Sequence, residues 1–444
     1  MANSAITLNS VLASSRFAVI SRPVGLRLAR GVAWTALGSS VAQGGSLLCA
    51  VIVARLVGKG LYGQYAFILS TAIAITSVAG LGLGFTATKY VSQYRLSDTG
   101  KAGRILGLSS STAVLTAASF AVAMALFAPS LISGNVRSEL VAWGLRWSAI
   151  YVYFTAVNAY QVGAMAGFEA FGAVAAINGC AGAAIVVLTW CLAAGAGFKG
   201  AVQAQGAGAT VLWTLYHFAL RKQCRKYGIA VSCRGAWRER AVLFHFSLPS
   251  AACGIVAAFA VWFGNTTVVG MRGYAELAVF SAVYNLRPIV LFVPALVGRV
   301  TLPLLNSLLA DGQGHAYRRT LRASVAFNGA IALGLAVCLF AGGTPVLRLF
   351  GKDFAGAPGL FAMVLGSAVL EVIASCLFQS LFTSGRIWRN LAINCVWAGV
   401  LAGCAKIAAG YGAAGLAFSY LMASGASVSL YGLAASAQCG TGRR

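Results

Sequence analysis

Acidic residues are almost missing from this chain: eight Asp and Glu among 444 residues, against 33 Lys and Arg and only three His. So few proton-exchanging groups leave little for general acid–base chemistry. No H-E-x-x-H, no G-x-S-x-G and no paired carboxylates occur, which disfavours an enzyme. The G-x-x-x-x-G-K-[ST] loop that would cradle a nucleotide is also missing, so ATP is not the expected energy source. The eleven cysteines form no C-x-x-C pair and fall mostly in apolar runs, as Cys49, Cys180, Cys253 and Cys395 do; they are expected to pack, not to form disulfides. No metal or cofactor is expected.

What the chain has is apolar length. Hydrophobic residues make up 59% of it and charged residues 9%, with 53 glycines that let helices approach closely in lipid. The apolar residues fall into about twelve stretches near the twenty residues needed to cross a bilayer core. They lie near 32–54, 62–88, 105–128, 140–160, 171–195, 200–220, 241–269, 276–298, 322–342, 358–383, 387–408 and 412–434. Lipid offers the backbone no hydrogen-bond partner, and nothing alternates like a lipid-facing barrel strand, so each stretch must be helical. The expected fold is an all-α integral membrane protein of about 12 transmembrane helices in two six-helix lobes.

The net charge of +25 would suit a nucleic-acid binder only if it formed a basic face on a soluble domain. Here the basic residues sit in short loops, and no nucleic-acid partner is expected. Taking alternate loops together, one side holds 23 Lys and Arg, and the other holds Arg55, Lys59, Arg137, Lys199, Arg272, Arg348, Lys352 and Lys406. The positive-inside rule then places both termini in the cytoplasm, with membrane lipids around the bundle. One cytoplasmic connection, around Glu169, has no cation of its own. Residues 1–30 read as a basic cytoplasmic or interfacial arm, a composition a mitochondrial presequence would share, and 435–444 read as a cytoplasmic tail. The longest loop, 221–240, carries seven basic residues against Glu239 and divides the chain into lobes 31–220 and 241–434. It is expected to lie on the anionic leaflet.

Beyond that loop the chain partly repeats. Gly60-Leu61-Tyr62-Gly63-Gln64-Tyr65-Ala66, between the first two stretches, is answered by Ala275-Glu276-Leu277-Ala278-Val279-Phe280-Ser281 between the seventh and eighth. Even-numbered halves start on the same side, so the repeats would be parallel, related by an axis along the membrane normal.

At these residues the chain resembles the polysaccharide flippases, the oligosaccharide-lipid exporters of the superfamily that includes the multidrug and toxin extrusion proteins. The resemblance rests on Ala54-Arg55-Leu56-Val57-Gly58-Lys59-Gly60-Leu61-Tyr62-Gly63-Gln64-Tyr65 and Gly80-Leu81-Gly82-Leu83-Gly84 in the first half. It continues through Phe246-Ser247-Leu248-Pro249, Val300-Thr301-Leu302-Pro303, Leu349-Phe350-Gly351-Lys352-Asp353-Phe354 and Ser384-Gly385-Arg386, in the family's order over residues 31 to 434. Many relatives carry an acid where this chain has Asn265-Thr266, which leaves that position without an ionisable group. The resemblance implies a bacterial inner-membrane secondary transporter for polyprenyl-pyrophosphate-linked oligosaccharide. It also implies a cationic cavity between the lobes, and a polymerase and glycosyltransferases as pathway partners. A cation-coupled multidrug exporter of the same superfamily is the nearer alternative.

Charges inside the membrane need a reason, because each costs at least about 2.5–3.5 kcal/mol at the bilayer centre. Three fall there: Arg146, Arg287 and Glu371. A guanidinium suits a pyrophosphate, since its forked donors stay protonated at every cellular pH. Arg146 lies near the outer end of its stretch, where it can either face a cavity or snorkel. Arg287 and Glu371 are near mid-depth in one lobe, so Glu371 is either the ion-coupling group or a structural partner of Arg287. The fourth stretch places Trp143, Arg146, Tyr153 and Tyr160 at helical spacing, with Trp147, Tyr151, Asn158 and Gln161 adjoining. Sugars stack on such rings, so Tyr153, Tyr160 and Asn158 join the candidate substrate site with Gln43 and Tyr284. His245 reads as interfacial. Pro249, Pro288 and Pro294 are expected to interrupt the seventh and eighth stretches.

Overall fold

The structure, a computed structural model, describes residues 22–131, 138–232, 235–240, 242, 247–311, 313–354, 358–383 and 387–440. Among them every regular element is helical. The first half comprises α1 (Arg22–Ala79), α2 (Leu83–Tyr94), α3 (Thr99–Phe127), α4 (Glu139–Gly167) and α5 (Phe171–Lys226). The second comprises α6 (Leu248–Arg272), α7 (Tyr274–Tyr284), α8 (Arg287–Ala310), α9 (Gly314–Ala341), α10 (Gly343–Arg348), α11 (Pro358–Thr383), α12 (Ile387–Ala408) and α13 (Gly412–Gly440). Nine stretches among the described residues are long and apolar enough to cross a membrane. Three of these, of 44, 56 and 49 residues, are long enough to cross twice, in keeping with the twelve crossings expected.

Glycine makes the reversals. The two halves of α1 meet at Gly58 (φ 77°, ψ 170°), and the two halves of α5 meet at Gly197 (φ 56°, ψ −131°). In the second half Gly273 (φ 85°, ψ 177°) separates α6 from α7, and Gly412 (φ 59°, ψ −131°) opens α13. A side chain would strain each of these backbones. Both pairs of matching conformations, 58 with 273 and 197 with 412, lie 215 positions apart. Gly200 and Gly415 keep the same interval, and at each the returning helix meets the backbone just left: a Cβ would fall 1.7 Å from the Leu192 carbonyl oxygen and 1.9 Å from that of Ala408. The repeat that is faint in sequence is therefore plain in the backbone.

Several boundaries differ from expectation. The second stretch is broken at Leu81 and Gly82, both at positive φ, so α2 is a separate helix. The eighth is broken at Asn285 and Leu286, where Pro288 opens the first turn of α8. Pro294 is accommodated inside α8 without ending it, and Pro249 lies in the first turn of α6. The described part of α1 already includes Arg22 to Arg30 of the expected arm, and α5 runs on through the basic residues Arg221 to Lys226. His245, Phe246, Ser384-Gly385-Arg386 and residues 1–21 lie outside the described residues. Nine cysteines among the described residues are free thiols.

Ion pairs hold the end that carries the linker, here the linker end. Arg104 reaches Glu239 at 3.2 Å, and Arg95 donates to Glu169 at 2.5 Å and to the Gly167 carbonyl at 2.8 Å, supplying the connection that has no cation of its own. At the opposite, far end one hydrophobic core joins the lobes, from Val53, Tyr62 and Phe67 to Val268, Leu277, Phe350 and Phe354. Away from that core the buried clusters are each confined to one half: one in the first, two in the second. The lobes are thus closed together at the far end.

Candidate site in the second lobe

The break before α8 positions the charge that the apolar sequence conspicuously retains. Asn285 and Leu286 turn the chain, Arg287 becomes the first residue of α8, and the Asn285 amide donates to the Tyr62 hydroxyl of the other lobe at 3.0 Å. Arg287 is 7% exposed. Its guanidinium donates to the Tyr284 hydroxyl at 2.7 Å and lies 5.0 Å and 5.7 Å from the ring centroids of Tyr284 and Tyr420, close enough for cation–π attraction. Its second terminal nitrogen forms an ion pair with Glu371 of α11. The Arg287 Nε has no hydrogen-bond partner among the described residues. A buried guanidinium with an unused donor is costly to keep unless something else accepts from it.

Arg287, Tyr284 and Glu371 line a cavity of about 420 Å³ within the second lobe. Glu371 is the more exposed partner, with 42% of its side chain accessible. A hydrogen-bonding row completes the wall: Tyr431 donates to Asn390 at 2.5 Å, and Asn394 donates to the Asn390 backbone carbonyl at 3.0 Å. Trp397 adds an aromatic face. The arrangement offers an anionic group a cation, a phenol hydroxyl and amides side by side.

The first lobe holds the counterpart, a cavity of about 340 Å³ lined by Tyr65, Tyr151, Asn158, Asn178 and Gln205 among others. Ala42, Ser46, Leu69, Gly182, Ala209 and Leu212 line it, and the residues 215 positions on, Ala257, Val261, Tyr284, Trp397, Ser424 and Ser427, line the other. The two are the same cavity repeated, one uncharged and one ionic.

The sequence candidates separate accordingly. Arg287, Tyr284 and Glu371 come together, and Asn158 lines the first-lobe cavity. Arg146 is exposed and lines neither cavity, so its side chain points away from both. Gln43 is likewise exposed, because its neighbours Ala42, Gly45 and Ser46 occupy the cavity face of α1. Tyr160 is buried in the first-lobe cluster, and Tyr153 packs beside that cluster, edge-on to Phe154 at 5.1 Å. They are packing residues in this arrangement. Tyr420, Tyr431 and Trp397 were not expected at the site. The only sequence signal they carry is aromatic placement in the last two stretches, which ordinary packing explains equally well.

A family model described as polysaccharide biosynthesis protein matches residues 28–309. The EPS I polysaccharide export inner membrane protein EpsE of Ralstonia nicotianae is 28% identical over 196 residues, 42% of this chain and 45% of that protein. The match thus spans less than half the length of this curated relative. Among solved structures, a multidrug resistance MATE family transporter of the MOP superfamily in its inward-facing conformation aligns with a TM-score of 0.78 at 13% identity, over 92% of this chain and 99% of that one. A MOP superfamily transporter from Pyrococcus furiosus aligns with a TM-score of 0.71 at 15% identity, over 94% and 96%. The fold is therefore the two-lobed helical membrane fold of those transporters. With well over half of its residues matched by the family model, the chain belongs to the polysaccharide biosynthesis protein family.

Proposed function

We propose that this protein is a secondary transporter that moves a polyprenyl-pyrophosphate-linked oligosaccharide from the cytoplasmic to the outer leaflet of the inner membrane. The observation that carries the reading is Arg287, buried in the second-lobe cavity with its Nε unpartnered. Such a group binds a diphosphate through forked, charge-assisted hydrogen bonds. The family match and the export role in the relative's name support the direction and the cargo class. In this reading the linker end faces the cytoplasm, because the basic residues divide 23 to 8 in its favour. The lobes, 31–220 and 241–434, rock about the closed far end while the lipid tail stays in the bilayer. Glu371 competes with the substrate for Arg287, and its protonation frees the guanidinium as the diphosphate enters. A cationic drug fits less well, since the cavity's only deep acid already has a cation beside it.

Loss of the gene should cause one lipid-linked oligosaccharide to accumulate on the cytoplasmic side of the membrane. Accumulation of unelongated sugar already on the outer face would instead indicate an assembly enzyme and overturn the transport reading.

A further inference from the structure

The far end has few cations, eight of the 33 Lys and Arg, yet three of those eight converge. Arg55 from the first lobe and Arg348 and Lys352 from the second line one cleft of about 600 Å³ across the lobe seam, with Gly351 between them. Arg55 is already bonded across the seam: its Nε donates to the Leu349 carbonyl at 2.6 Å, and a terminal nitrogen to that of Arg348 at 3.5 Å. Nearby in sequence, Tyr62 packs tilted against Phe350 and edge-on to Phe354 across the lobe seam. Neither Arg348 nor Lys352 has an ion pair among the described residues. All eight acids of the chain fall within the described residues, and none lines this cleft; Asp353, next along the chain, is exposed and unpaired there. Three like charges drawn together from two separate lobes repel one another unless an anion sits among them.

We propose that Arg55, Arg348 and Lys352 form a binding site for a phosphate-type anion that exists only while the far end is closed. Because the cations belong to different lobes, opening the far end dismantles the site, and an anion that binds it holds that end shut by the difference in affinity. Two sources supply the chemistry: the diphosphate of the exported carrier as the lobes close behind it, or the phosphate headgroups of neighbouring lipids. The inference takes the far end as the outer face, as proposed above, but the site itself does not depend on that orientation.

The test is equilibrium binding of radiolabelled inorganic pyrophosphate to the full-length protein in lipid nanodiscs, which expose both faces. An Arg287→Gln background removes the cavity cation. Saturable, salt-sensitive binding should survive in Arg287→Gln and weaken by about tenfold or more when Arg55→Gln, Arg348→Gln and Lys352→Gln are added, each loss removing a charge-assisted donor. The Arg348→Gln/Lys352→Gln pair alters only exposed side chains and leaves the Arg55 bonds in place; it should weaken binding by a smaller factor and secures the comparison if the larger variant folds poorly. Weaker pyrophosphate binding in phosphatidylglycerol discs than in phosphatidylcholine discs would identify lipid phosphate as the occupant, and equal binding the carrier diphosphate; both support the site. Absence of saturable binding in Arg287→Gln, or unchanged affinity after the outer cations are removed, overturns it. Failure of the transport reading shows separately, as normal export by Arg287→Gln cells.

Discussion

Replacing Arg287 and Glu371 singly and together separates a transport role from a structural one. Breaking a fully buried ion pair costs about 3–5 kcal/mol, because the partner is left charged and dry. Here the two ends of the pair are unequal: the Arg287 side chain is 9% exposed and that of Glu371 42%. After Arg287→Gln, water reaches the remaining carboxylate, so the cost should fall to about 1–2 kcal/mol. After Glu371→Gln the guanidinium stays buried, retaining the Tyr284 hydroxyl and two aromatic faces, and the cost should be about 2–4 kcal/mol. The double Arg287→Gln/Glu371→Gln protein should be more stable than Glu371→Gln alone, since it buries no unmatched charge. Thermal unfolding of purified protein in one detergent measures this order; equal burial would instead give the two single variants equal losses. Transport is read in proteoliposomes as flipping of a fluorescent lipid-linked oligosaccharide with and without a pH gradient. Arg287→Gln should lose flipping while remaining abundant, Arg287→Lys should recover little, and Glu371→Gln should flip downhill without responding to the gradient. An abundant Arg287→Gln protein that flips normally would refute the substrate role. Abundant Glu371→Gln with an unchanged pH response would refute the coupling role and leave the pair as architecture.

Topology reporters fused at Arg238 and at Arg444 should both report the cytoplasm, and an extracytoplasmic signal at either would reverse the orientation. Tyr62→Phe removes the acceptor for Asn285 across the lobe seam, worth about 1 kcal/mol, so thiol-reagent access to a cysteine placed at the far end should rise by roughly fivefold; unchanged access would mean that the bond does not bias the closed state. Gly200→Ala drives a Cβ to 1.7 Å from the Leu192 carbonyl and should lower stability by about 1–3 kcal/mol or more. Gly44→Ala, whose Cβ meets nothing within 4 Å, should be neutral in the same unfolding assay.

The sequence alone was enough for the helical class and the number of crossings, because both follow from one-dimensional bookkeeping: apolar run length against bilayer thickness. Which of the 53 glycines make the reversals was shown only by the backbone, where residues 58, 197, 273 and 412 take a positive φ that favours glycine. Tertiary structure decided what direction and assembly control. Each helix was placed by its run length, but which side of it faces a cavity depends on rotation and on breaks such as those at Gly82 and Leu286, and neither is encoded in hydropathy. Hence Gln43 and Arg146 point away from both cavities while Tyr431 and Trp397 complete the ionic one and the buried Tyr420 ring backs Arg287. The cluster of Arg55, Arg348 and Lys352 was invisible for the same reason at larger scale: nearly 300 positions separate its members, and only the docking of one lobe on the other brings their charges together.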